Sequence, residues 1–147
     1  MPIVSTDEEL CAILAKYQRI AVVGISDRPS RPSHRVTKFL QEHGYAVFLV
    51  NPLLAGENVL GEPVYASLAD LPEPPEIVDV FRRSEHVAGV VDEAIAAGAR
   101  VLWTQLGVRD PEAEQRASEA GLLVVEDRCT AIEYSRLHQL SSSIGLI

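Results

Sequence analysis

Five short apolar runs recur along the chain, and after four of them the apolar residues spread out to a spacing of three or four. The runs are 19–25 (Arg-Ile-Ala-Val-Val-Gly-Ile), 46–50 (Ala-Val-Phe-Leu-Val), 77–81 (Ile-Val-Asp-Val-Phe), 100–103 (Arg-Val-Leu-Trp) and 122–125 (Leu-Leu-Val-Val). They are rich in β-branched residues and nearly continuous, which suits strands covered on both faces. Strands that alternate with helices connect by right-handed crossovers. The pattern therefore predicts an α/β fold, a doubly wound parallel sheet with helices on both faces in a single three-layer domain.

The intervening segments carry their own boundary signals. Thr6-Asp7-Glu8-Glu9 has capping-box spacing, and Leu10, Ile13, Leu14 and Tyr17 follow at helical intervals, so 6–17 reads as an amphipathic helix packing on the sheet edge. Val36, Phe39 and Leu40 mark a helix over 33–43, closed by Gly44. Further helices are expected from a Ser84 cap to Ala97, from an Asp110 cap through Ala120, and over 131–140. Residues 53–62 read as a loop, with Val64-Tyr65 as a small extra strand and 67–71 as a turn, and Pro72, Pro74 and Pro75 exclude regular structure beyond it. The tail, 141–147, is expected to lie loose or to cover an apolar patch. A length of 147 residues fits one domain over 1–147, with its core at about 8–140.

Composition narrows the classes of function. The net charge of -8, from 21 acidic against 13 basic residues, opposes nucleic-acid binding over a broad face and leaves room only for a local anion site. The apolar runs are short and broken by charge, so the expectation is a soluble, cytoplasmic protein without a membrane span. Cys11 and Cys129 are too few and too distant for a disulfide framework or a zinc site, and reduced thiols are expected. The four histidines have no metal-ligand spacing, so no metal is assigned.

In open parallel sheets, ligands bind beyond the carboxyl ends of the strands. That rule selects the loops 24–33, 50–55, 81–84, 103–109 and 126–130. Arg28, Arg31, Arg35 and Lys38 cluster around the first of them, in an otherwise acidic chain. Gly24 allows a ligand to approach the backbone, Ser33 can cap the next helix, and Arg31 and Arg35 can add charge-assisted bonds to a phosphate. The bland alternative is a solvated helix start. A nucleotide-hydrolysing phosphate loop is excluded because no Gly-x4-Gly-Lys-Ser/Thr occurs. NAD binding of the usual kind is disfavoured, since Gly24 stands alone and Asn51-Pro52 occupies the place of the ribose-binding carboxylate.

Four ordered motifs, "VVGISDRPSRPSHRVTKFLQEHGYAVFLVNP", "VDVFRRSE", "WTQLGV" and "EDRC", resemble the CoA-binding domain family of small bacterial and archaeal proteins. That family is similar to the N-terminal CoA-binding domain of the succinyl-CoA synthetase alpha subunit, and the likeness spans about 8–137. It implies a Rossmann-like domain that holds the nucleotide end of coenzyme A. Position by position, it implies ligand contacts at Gly24, Ser26, Ser33 and Arg35, at Asn51 and Pro52, at Phe81 and Arg82, and at Trp103, Gln105 and Gly107. Arg31 joins them from its place in the loop. The sequence departs from the family at Leu49-Val50, where a proline is common before Asn51, and at Glu126, where an apolar residue is more usual.

The leading expectation is thus a binder of coenzyme A or an acyl-CoA, without catalysis of its own. The chain is too short for the phosphohistidine and nucleotide-grasp parts that the synthetase reaction uses, and no nucleophile-base pair or paired carboxylates stand out. Two other readings stay open: an oxidoreductase using an atypical dinucleotide, and a CoA-sensing regulatory subunit whose protein partner does the chemistry. Cys129, near a helix start, is either a reactive thiol or a packed one. Trp103 is either a stacking surface for the ligand or a core anchor.

Overall fold

In the computed structural model, which describes residues 3–143, the strands are β1 (Arg19–Val23), β2 (Ala46–Val50), β3 (Asn58–Val59), β4 (Glu62–Tyr65), β5 (Ile77–Val80), β6 (Val101–Thr104) and β7 (Leu123–Val125). The helices are α1 (Asp7–Lys16), α2 (Pro32–Glu42), α3 (Val87–Ala96), α4 (Pro111–Glu119) and α5 (Thr130–Ser143). They build one sheet of order β3-β4-β2-β1-β5-β6-β7, parallel throughout except for the β3–β4 hairpin. From β1 the chain winds outward to β2 and β4, then crosses back to β5 on the other side. The strand order reverses between β1 and β5, and a Rossmann-like sheet opens a ligand crevice at that point.

The continuous apolar runs are explained by burial on both faces. Alternate residues Ile20, Val22, Leu49, Ile77, Val101 and Trp103 pack under α1, α2 and α5. Their neighbours Ala21, Val23, Val78, Val80 and Leu102 pack against α3 and α4 through Val87, Val91, Ala113 and Ala117. Burying each large side chain contributes about 1.5–3 kcal/mol, so the sheet is the stable frame that carries the loops. Among the described residues, no helix is long and apolar enough to cross a membrane.

Most boundaries fall within one or two residues of the sequence reading. Thr6 caps α1, accepting a bond from the Glu9 backbone N–H at 3.2 Å while its hydroxyl donates to the Glu9 carboxylate at 2.7 Å. Asp110 caps α4 through the Ala113 N–H. Gly44 follows α2 at φ +91°, a conformation that glycine adopts without strain.

Several expectations need correction. Helix α1 lies on the sheet face beside α5, not at the edge, because Leu10, Ile13 and Leu14 enter the same core as β1 and Arg136 of α5 bonds Asp7. Ser33 is not a cap: Pro32 suits the first helical position, so α2 begins one residue earlier with Arg31 as its cap residue. Ser84 does not cap α3 either. Its hydroxyl accepts the Arg109 N–H, and a 3-10 turn over Ser84–His86 precedes the helix. The 53–62 loop contains a 3-10 turn over Pro52–Leu54 and strand β3. The β3–β4 hairpin turns at Leu60 and Gly61, both with positive φ, and leucine there gives none of the usual turn signal. Of the tail, 141–143 continues α5, and 144–147 lies outside the described residues.

Candidate functional site

At the reversal point, Gly24 follows β1 at φ +99°, with its N–H bonded to the Val50 carbonyl at 2.8 Å. Phe81, next to it at the end of β5, donates its N–H to Val23 at 2.8 Å. A β-carbon on Gly24 would lie 2.8 Å from the Phe81 carbonyl oxygen and 3.0 Å from Arg82 Cγ. Real β-carbons do not approach that closely, so glycine is needed for both space and conformation.

The loop leaving Gly24 is organised by its serines and by Asn51. Ser33, buried at the start of α2, accepts the Ser26 N–H at 3.0 Å, and the Ser26 hydroxyl accepts the Arg28 N–H at 3.1 Å. Asn51 donates from Nδ2 to the Ile25 carbonyl at 2.8 Å and accepts the Leu53 N–H at 2.9 Å. The amide uses both of its polarities, one on each loop. An aspartate would present an acceptor to the Ile25 carbonyl.

These contacts frame a cleft of about 420 Å³ lined by Gly24, Ser26, Arg31, Ser33, Asn51 and Phe81, with acidic Asp27 also in its wall. Across Gly24, Asn51 and Phe81 it continues into a second cleft of about 280 Å³, walled by Pro52, Arg82, Arg83 and His86. Helix α2 points its start at the first cleft without a side-chain cap or an acidic residue in its first turn. Pro32 has no N–H and the N–H groups of His34 and Arg35 bond the Arg31 carbonyl, so the helix dipole and the Ser33 N–H are what favour an anion there. Among the described residues, Arg19, Arg109, Arg116, Arg128 and Arg136 are held in ion pairs, as is Arg83 of the second cleft with exposed Glu85 at 3.9 Å, while Arg31 and Arg82 at the clefts are not. Leu53 stands 92% exposed on the lip shared by both.

The remaining candidates sit differently. Arg35 lies at the same helix start, but its guanidinium donates to the Ser30 carbonyl and lines neither cleft. Trp103 is fully buried, and its indole N–H donates to the Arg128 carbonyl at 2.8 Å, which makes it a core anchor with no face for stacking. Gln105 is only 6% exposed and turns inward. Its Nε2 donates to Asp79 at 2.5 Å and lies 3.3 Å from the Thr130 hydroxyl, which itself donates to the other Asp79 oxygen at 3.1 Å. The Gly107 N–H donates to Asp127 at 2.6 Å, and Asp127 is held at φ +55° with its own N–H on Thr104.

The Asp79–Gln105–Thr130 triad escaped the sequence reading. Burial pushes the Asp79 carboxyl up to about 7, against the opposing effect of its two hydrogen bonds. It ties β5, the end of β6 and the start of α5 together beneath the rim. Its signal was present, since a carboxylate inside Ile-Val-Asp-Val must find partners when the strand is buried. Nothing in the sequence indicated which partners.

A Rossmann-like sheet with an open, arginine-bearing cleft at the strand reversal defines a class of proteins that take phosphate-bearing ligands over their strand ends. Within that class, the chain belongs to the CoA binding domain family, whose model matches residues 18–135. It is 42% identical over 127 residues to YneT of Bacillus subtilis, covering 86% of this chain and 93% of the relative. Among solved structures, it is similar to the Thermus thermophilus protein known as cell-free ID.343, at 44% identity and TM-score 0.87 over 90% of this chain and 99% of the other. A hypothetical protein from Pyrococcus horikoshii OT3 superposes with TM-score 0.89 at 42% identity, over 94% of this chain and 96% of its own.

Proposed function

We propose that the protein is a cytoplasmic, single-domain binder of coenzyme A or of its acyl thioesters, seated across the paired clefts at the β1–β5 reversal. The observation that carries this reading is the uncapped start of α2 facing a cleft that holds Gly24, Ser26 and Arg31. A pyrophosphate there gains the Ser33 N–H, the helix dipole and a guanidinium together. Arg82 and Arg83 wall the adjoining cleft and suit a further phosphate, and exposed Leu53 offers an apolar surface to a flat base.

Family membership supports coenzyme A over other phosphate-bearing ligands. Asn51 supports the same choice against NAD, because its amide is committed to the Ile25 carbonyl and the Leu53 N–H, leaving no carboxylate for a ribose diol. A crystal structure grown with CoA tests the placement. The pyrophosphate is expected beside Ser26 and Ser33; density for CoA away from the strand ends would overturn the assignment.

A further inference from the structure

A third cleft, of about 360 Å³, opens at the carboxyl ends of β6 and β7, on the same rim as the two already described. Two large apolar side chains line it while facing solvent: Leu106 at 61% exposure and Ile132 at 55%. Cys129, a free thiol, lies buried against it.

Each charged residue lining this cleft already has a partner. Arg109 pairs with Glu126 at 3.2 Å, Arg128 pairs with Glu133 at 3.0 Å, and Asp127 accepts the Gly107 N–H. Three carboxylates against two guanidiniums leave the lining slightly negative. The walls of the cleft are mostly polar, with apolar contact confined to Leu106, Cys129 and Ile132; it has no spare cation, and it repels a terminal carboxylate.

From this geometry we infer that the third cleft receives the uncharged, aliphatic acyl group of a CoA thioester. The inference rests on the proposed seating of coenzyme A at the β1–β5 reversal. From β1 across β5 and β6 to β7 there are three inter-strand steps, roughly 14 Å in all. The pantetheine arm, a chain with two amide links, is about as long as four extended residues, again roughly 14 Å. Phosphates held at α2 thus place the sulfur near Leu106, Cys129 and Ile132. An acyl chain continuing from the sulfur covers the two exposed apolar side chains.

The test compares the affinities of CoA, hexanoyl-CoA and succinyl-CoA for the whole protein by calorimetry. Hexanoyl-CoA is expected to bind about tenfold to a hundredfold more tightly than CoA, as partial burial of its methylenes implies, and succinyl-CoA no more tightly than CoA. Leu106→Asp and Ile132→Asp, both at exposed positions, are each expected to bring the hexanoyl-CoA to CoA affinity ratio close to one. CoA binding with equal or weaker hexanoyl-CoA binding would overturn the acyl cleft and leave the CoA reading intact. A preference for succinyl-CoA, or a ratio unmoved in both variants, would overturn it too. Failure of all three ligands to bind would remove the CoA reading itself, and the acyl cleft with it.

Discussion

Gly24 and Phe81 meet so closely across the strand reversal that a β-carbon on the glycine would stand 2.8 Å from the phenylalanine's carbonyl oxygen. Gly24→Ala therefore combines a left-handed backbone penalty with a backbone clash, and is expected to cost about 3 kcal/mol of stability. Urea unfolding measures this, and a midpoint unchanged from the parent protein would show that the contact is relieved cheaply.

Asn51 bridges the loops that follow β1 and β2, donating to one and accepting from the other. Asn51→Asp sets a carboxylate against the Ile25 carbonyl and is expected to cost about 1–3 kcal/mol. It is not expected to create NAD binding, although it restores the acidic residue usual in dinucleotide sites. Stable folding together with NAD affinity in this variant would contradict the assigned role.

Arg31 lines the anion cleft, whereas Arg35 holds the Ser30 carbonyl. Arg31→Ala is expected to weaken CoA binding by about 1–3 kcal/mol while leaving the thermal midpoint of the free protein unchanged. Arg35→Ala, acting only through the loop, is expected to weaken it less. Calorimetry on the two variants checks the ranking, and the reverse order would move the phosphate toward Arg35.

Buried Asp79 sets a pH dependence. Burial raises its carboxyl to about 7 in the folded protein, from 3.8 when exposed, so the native state retains a proton that the unfolded chain releases. Stability from this group is complete below about pH 4, declines as the pH rises, and levels off above about pH 7. Its full span is on the order of 4 kcal/mol. Glu114 acts in the same sense, raised to about 7 by burial and by its neighbour Glu126. Asp7, held low by Arg136, adds an opposite trend only at acidic pH. Asp79→Asn is expected to flatten the decline between pH 5 and 8 in urea unfolding. An unchanged slope would assign the titration to Glu114.

Where hydrophobic pattern decides structure, the sequence was informative. The run 77–80 lies buried on both faces and 46–50 is buried except at Ala46 and Phe48, both close to the expected bounds, and Thr6, Asp110 and Gly44 act at helix ends as their chemistry requires. Strand β4 matches the extra strand expected at Val64-Tyr65, but its hairpin partner β3 gives no signal, because a two-residue strand carries no periodicity and Leu60 is an unusual turn residue. In the site, Gly24, Ser26, Arg31, Ser33, Asn51 and Phe81 gather around one cleft, and Pro52 and Arg82 around its neighbour. Trp103 and Gln105 have rim positions in sequence but buried side chains, and one-dimensional spacing does not carry that distinction. Their partners, Arg128, Asp79 and Thr130, lie 25 or 26 residues away along the chain.

The paired clefts at the β1–β5 reversal are proposed to hold coenzyme A by its phosphates. Calorimetric titration of ligand-free protein with CoA, dephospho-CoA and NAD tests this most directly. Saturable CoA binding, weakened for dephospho-CoA by the loss of a phosphate contact with arginine and absent for NAD, is the predicted result. Absence of CoA binding, or tighter binding of NAD, would contradict it.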